Sequence, residues 1–144
     1  MTYRCQHFEI RELVDEQTHK LFKEHFGERH YEGFLWRLFD EGLLRSIDEL
    51  RDKFGSCTIN DWHRGGNFNW SGLRTPLSPW YSEGSRHSVG GAFDLKFKNF
   101  TADQIRDSLR SVCPSGIKRI ELGTSWVHVD DKETGKAHVH FFNA

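Results

Sequence analysis

Apolar residues recur at helical spacing through the first third of the chain. In "FEIRELVDEQTHKLFKEHF" Phe8, Leu13, Leu21, Phe22 and Phe26 stand among charges, and Gly27 supplies a stop. In "YEGFLWRLFDEGLLRSIDELRDKFG" the positions are Phe34, Leu35, Leu38 and Phe39, then Leu43, Leu44, Ile47, Leu50 and Phe54. That pattern predicts two helices broken near Gly42, with Ser46 and Glu49 spaced as a capping box. After Gly55 the period shortens. "SCTINDW" alternates as a short strand, and "HRGGNFNWSGLRTPLSPWYSEGS" is a long loop rich in Gly, Ser, Asn and Pro. Beyond it the pattern predicts a strand at "GAFDLKF", a helix opened by Thr101, a strand "GIKRIEL", and a hairpin of "SWVHVDD" and "KAHVHFF" turned by "KETG". The fold class expected is α+β, with N-terminal helices packed on a small, mostly antiparallel sheet.

The length of 144 residues suits one domain, with 1–43 as its helical part and 44–144 as its core. With 20 basic and 21 acidic side chains the net charge is -1, so a nucleic-acid partner is not expected. No apolar run nears the roughly 20 residues of a membrane span, and "MTYRCQHFEI" lacks the order of a secretory signal. Synthesis in a cytoplasm without a signal peptide, no stable membrane insertion and a monomeric state are the expectations. Cys5, Cys57 and Cys113 are odd in number and far apart, which argues for reduced packing residues. Nine histidines are many for a chain of 144 residues and raise the prior for a metal.

That prior meets a specific pattern in "GSRHSVGGAFDLKF". His87 and Asp94 offer two metal ligands, with Gly90, Gly91 and Ala92 between them letting the backbone approach a metal or substrate closely. Asp94 should share a strand face with Ala92 and Lys96. A third ligand must come from elsewhere. His128, with Asp130 on the same strand face, is offered by "SWVHVDD", while His138 and His140 of "KAHVHFF" are rivals.

Residues 85–94 spell S-x-H-x-x-G-x-A-x-D, and W-x-H follows at Trp126 and His128. This combination resembles the family of zinc D,D-carboxypeptidases and L-alanyl-D-glutamate endopeptidases that act on peptidoglycan and include many phage endolysins. The likeness extends over roughly residues 44 to 130, through "SIDELRDKFG" and "INDWHRGGNFNWSGLRTP". It implies the small zinc peptidase fold shared with the hedgehog signalling domain. It also implies Zn2+ held by His87, Asp94 and His128, with Arg74 binding substrate and Ser85 beside the site. The partners implied are peptidoglycan peptides, met at the bacterial cell wall after release or from a virion.

Hydrolysis of a peptide bond needs a carboxylate to move the proton of the attacking water. The commonest family pattern has an acidic residue three places before the last histidine, and here that position is Ser125. Two carboxylates are available instead. Glu121 ends the strand "GIKRIEL", in an arrangement similar to hedgehog-type domains. Asp130 lies two residues after His128, where it can equally orient that histidine. Glu121 is the favoured base, and a zinc domain without hydrolysis is the alternative that Ser125 allows. Arg74 suits a carboxylate or developing oxyanion, because its fork binds oxygen pairs, and Ser85 suits a turn or cap. Trp62, Trp70, Trp80 and Trp126 are candidate walls of the cleft, and His63 is a weaker candidate for reaching it.

Overall fold

The computed structural model describes residues 2–144. Its architecture follows from where polar caps interrupt apolar runs. Asp15 caps α1 (Glu16–Phe26) by accepting from Thr18 N, and Gly27 ends that helix at φ +82°. The first helix is therefore shorter than the apolar period suggests. Phe8 lies ahead of it and Ile10–Glu12 form a single 3-10 turn. α2 is Tyr31–Trp36 and α3 is Glu41–Phe54. The break falls at residues 37–40 and not at Gly42, because Asp40 takes the cap by accepting from Leu43 N at 2.8 Å.

Ser46 is accordingly no cap. It is buried in the middle of α3, where its hydroxyl donates to Gly42 O at 2.8 Å and accepts from Gly116 N at 3.0 Å. The hydroxyl thereby bridges the helix backbone at Gly42 and the backbone at Gly116. Along the same helix Leu43, Leu44, Ile47 and Leu50 are almost fully buried. Each such side chain stabilises by about 1.5–3 kcal/mol relative to exposure. Leu21 of α1, by contrast, is half exposed; α1 is held through Phe22 and Phe26 instead, the latter stacked on Phe34 at 4.1 Å.

The sheet has five strands in the order β1-β2-β4-β3-β5. They are β1 (Cys57–Thr58), β2 (Ala92–Phe97), β3 (Arg119–Leu122), β4 (Val127–Asp130) and β5 (His140–Asn143). Between β2 and β3 runs α4 (Ala102–Ser111), opened by Thr101 and Gln104 in a reciprocal capping box. The fold is α+β, as the alternation of patterns implies.

One pairing departs from expectation. β4 and β5 do not form a hairpin, since β5 crosses to the far side of β3 and pairs with it in parallel, Arg119 opposite His140 and Glu121 opposite Phe142. The sheet is mixed, with its other three pairings antiparallel. A turn sequence such as "KETG" reports only local geometry, whereas β5 is placed by a longer connection.

Period-two alternation gives the sheet two chemically different faces. Phe93, Leu95, Ile120, Val127 and Val129 join the helices in one apolar cluster that runs through both the N-terminal and C-terminal parts. Asp94, His128 and Asp130 occupy the alternate positions. Among the described residues, no helix is long and apolar enough to cross a membrane.

Candidate metal centre

The register brings the polar positions of separate strands into rows. Asp94 of β2 lies opposite His128 of β4, and Ala92 opposite Asp130. Arg119 of β3 lies on the other side of Asp130. One step along that register sets Glu121 beside His128, on the same face as Arg119.

His87 reaches this row from a short 3-10 turn, Arg86–Val89. Ser85 caps the turn by accepting from His87 N at 3.2 Å, and Gly90 ends it at φ +73°. A side chain at Gly90 would put its Cβ 1.8 Å from Leu38 O, and one at Gly91 would meet Asp131 Oδ1 at 2.3 Å. The small residues of the motif thus serve close approach to the 37–40 connection and to Asp131, rather than to a metal. Asp40 N–H donates to Gly90 O at 3.1 Å and completes that contact.

His87, Asp94 and His128 are all buried and converge, each offering one ligand atom within 4.8 Å of the others. Asp94 Oδ1 lies 3.3 Å from His87 Nε2 and 2.9 Å from His128 Nδ1. Ligands at about 2.0–2.1 Å around a tetrahedral ion stand roughly 3.3 Å apart, so the spacing fits a metal. The remaining ring nitrogens are already committed. His87 Nδ1 faces Gly72 O at 2.8 Å, and His128 Nε2 faces Asp130 Oδ2 at 2.9 Å. Such partners orient a ligating imidazole and leave the inward nitrogen free for an ion.

Asp130 is fully buried and fully engaged. Arg119 donates to both its oxygens, Nε to Oδ1 at 2.9 Å and Nη2 to Oδ2 at 2.7 Å, while Lys132 N also reaches Oδ1. A carboxylate with every lone pair occupied does not collect a proton from a substrate water. The geometry gives Asp130 the orienting role at His128 and not that of the base. Burial alone would raise its pKa, but the bonds from His128 and Arg119 reverse that and hold it at about 2. Burial would likewise lower His128, yet acceptance by Asp130 and Asp94 raises it to about 9 in the metal-free protein. Asp94, whose burial also works against its charge, is held well below the carboxylate range by the two histidines.

Glu121 differs from Asp130 in each respect. It is half-buried, lines the same cleft, and among the described residues its carboxylate makes no hydrogen bond. The cleft has a volume of about 330 Å³ and is bounded by Arg74, Ser85, Trp126 and Phe142 as well as the histidines. Arg74 donates through Nε to Trp70 O at 2.9 Å and through Nη2 to Asp94 Oδ2 at 3.1 Å. Burial lowers its pKa while the charges of Asp94 and Glu121 oppose that fall, so both carboxylates act on it. Ser85 lines the cleft, and its hydroxyl accepts the capping bond from His87 N.

The other histidines stand elsewhere. His140 Nδ1 lies 2.9 Å from Lys136 Nζ, and β3 separates it from β4; His138 is exposed ahead of β5. Neither replaces His128. Trp62 bonds Val14 O at 2.8 Å and packs against His19, and His63 sits beside it, so this pair buttresses the N-terminal segment instead of the cleft.

Two residues not singled out by their motifs hold the site together. Arg119 fixes Asp130, and its alternation with Glu121 in "RIE" is the signal for a shared face. Arg106 of α4 is buried and donates to Thr124 O at 2.9 Å and Trp126 O at 3.3 Å, which staples the turn between Glu121 and Trp126. A charged residue beside Ile105 on an apolar helix face was its only trace in the sequence.

The fold and site define a class: an α+β domain with a buried group of two histidines and one carboxylate that can hold a metal ion. Comparison with family models, with curated proteins and with solved structures finds no match to this chain.

Proposed function

We propose that the chain is a zinc-dependent peptidase that hydrolyses peptide bonds of bacterial peptidoglycan, as a phage or prophage lysis enzyme or virion component. One observation carries this reading. Three convergent ligand atoms stand in a cleft beside Glu121, a carboxylate without a hydrogen-bond partner among the described residues. Two imidazoles and a carboxylate form a donor set suited to zinc, and the resemblance of residues 85–94 and 126–128 to the zinc peptidases supports the substrate class.

A zinc ion held by His87, Asp94 and His128 would supply a Lewis acid for the scissile carbonyl and would bring the pKa of a water toward ~7. The protein's own groups do the rest. Glu121 accepts the proton of the attacking water and returns it to the leaving amine. Arg74 turns its remaining N–H groups toward a substrate carboxylate or the oxygen that gains charge. Arg119 and Asp130 keep His128 Nε2 protonated, so Nδ1 faces the ligand group.

The test is digestion of purified peptidoglycan by the zinc-loaded protein, with and without a chelator, followed by mass spectrometry. New amine and carboxyl termini that vanish on chelation are expected. Intact walls from several chemotypes, with one zinc bound per chain, would overturn the peptidase and leave a metal domain without hydrolysis.

A further inference from the structure

Beside the metal cleft, the surface carries more aromatic area than a solvated face requires. Trp80 is 68% exposed, Phe68 46% and Trp126 38%. With Trp70 they wall a groove of about 400 Å³ that joins the cleft through Arg74, Asp94 and Trp126. Contiguous exposed rings of this kind mark binding sites, while scattered ones do not.

The backbone that carries Trp80 and Trp126 is held in place, and so is the Phe68 ring. The buried Ser78 accepts the Trp80 N–H at its hydroxyl at 3.0 Å and the Tyr81 N–H at its carbonyl at 3.2 Å. Trp126 O accepts from Thr124 Oγ1 at 2.6 Å and from Arg106. Phe68 rests on the Lys96 ammonium, 3.9 Å from its centroid, and Lys96 is itself tied to Ile59 O and Ser71 Oγ. A wall whose backbone is already ordered loses less entropy when it is covered than one on a free loop.

Its chemistry distinguishes between occupants. A peptide that binds by strand addition needs an open strand edge. The groove offers none, because β2 beneath it pairs with β1 at Lys96 and with β4 at Asp94, and Asp94 N–H donates to Ser71 O at 2.8 Å. What remains is flat ring surface beside two amides. Asn69 Oδ1 accepts from Glu16 N, which leaves its NH2 group to donate, and Asn67 stands next to it. A pyranose presents a flat C–H face with a rim of hydroxyl and amide groups, and that shape matches such a lining.

We infer that this groove receives an N-acetylated sugar ring of the glycan to which the scissile peptide is attached. The inference rests on the peptidoglycan reading and extends it: the enzyme takes a glycan-linked peptide and cuts near the attachment, since groove and cleft share Asp94.

The probe is the peptide-free disaccharide N-acetylglucosaminyl-N-acetylmuramic acid, titrated into the zinc-loaded protein and followed by calorimetry and tryptophan emission. Binding with a change in emission is expected, weakened at least about tenfold by Trp80→Ala and largely restored by Trp80→Phe. Trp80 is exposed, so zinc content and the circular dichroism spectrum should stay as in the parent. No heat and no change in emission up to millimolar disaccharide, or equal affinity in Trp80→Ala, would overturn the groove assignment. Sugar binding without cleavage of any wall supports the groove and sinks the peptidase, whereas wall cleavage by a protein that ignores the disaccharide sinks the groove alone.

Discussion

β4 and β5 carry a similar message, a histidine alternating with valine or phenylalanine, and meet different fates. His128 stands in a central strand, with Asp94 on one neighbour and β3 on the other, and its two ring nitrogens find two carboxylates. His140 stands in an edge strand, opposite Arg119 and against Lys136, among cations. The same side chain is a ligand candidate in one row and a surface group in the next. Cross-strand neighbours, and not the residue's own strand, decide what an imidazole can do.

The largest effects should separate the two strands directly. His128→Ala or Asp94→Ala is expected to lower metal affinity by at least about 10³-fold, because each removes a ligand of a three-ligand site. Metal content after dialysis would check it, and retention of one equivalent would break the assignment. Next, Glu121→Gln should cut kcat/KM on peptidoglycan about 10²- to 10⁴-fold with metal binding unchanged. An equal loss in a variant at the exposed His138 would show that the assay reports general damage.

Asp130→Asn or Arg119→Ala should cost about 10- to 100-fold in metal affinity by freeing the His128 ring, and the two losses should not add. A pH series probes the same histidine. Metal entry displaces the proton that His128 Nδ1 donates to Asp94, so apparent affinity should rise about tenfold per pH unit below about 9 and then level off. For the metal-free protein the sign is opposite. A histidine raised from 6.5 to about 9 stabilises the fold fully below 6.5, and that contribution fades as pH rises through about 9. Denaturant titrations at about pH 6 and about pH 10 would measure it. The smallest effect belongs to His140→Ala, which should leave metal stoichiometry and activity within about twofold of the parent, as for a substitution away from the site.

Those rankings show what could be read from residues alone. The pairing of His87 with Asp94 was legible because a short motif records both the ligand types and the turn that joins them, whereas His128 had rivals in His138 and His140 until the strand register chose between them. The helix at Thr101 was equally plain, since a capping box is a local device. Pairings at long range were not. "KAHVHFF" follows a good turn sequence, yet its partner is β3, some twenty residues back, and nothing local encodes a parallel crossover. Ser46 and Glu49 have the spacing of a cap, but Asp40 has better geometry, and Ser46 is used for Gly116 across the core. Glu121 was favoured over Asp130 only through its likeness to hedgehog-type domains, since the two carboxylates carry no local signal that separates them. Only the presence of Arg119 on one and the lack of any partner on the other separates them.

The contact of Gly90 with Leu38 ties the histidine turn to the connection between α2 and α3. It follows that the site and the N-terminal helices open as one cooperative unit. In native-state hydrogen exchange the amides of Asp40 and Gly91 should exchange together, at the free energy of global unfolding, while the exposed tip around Gly135 exchanges far sooner. A proteolytic nick between α2 and α3 would then silence the centre from a distance, without touching a single ligand.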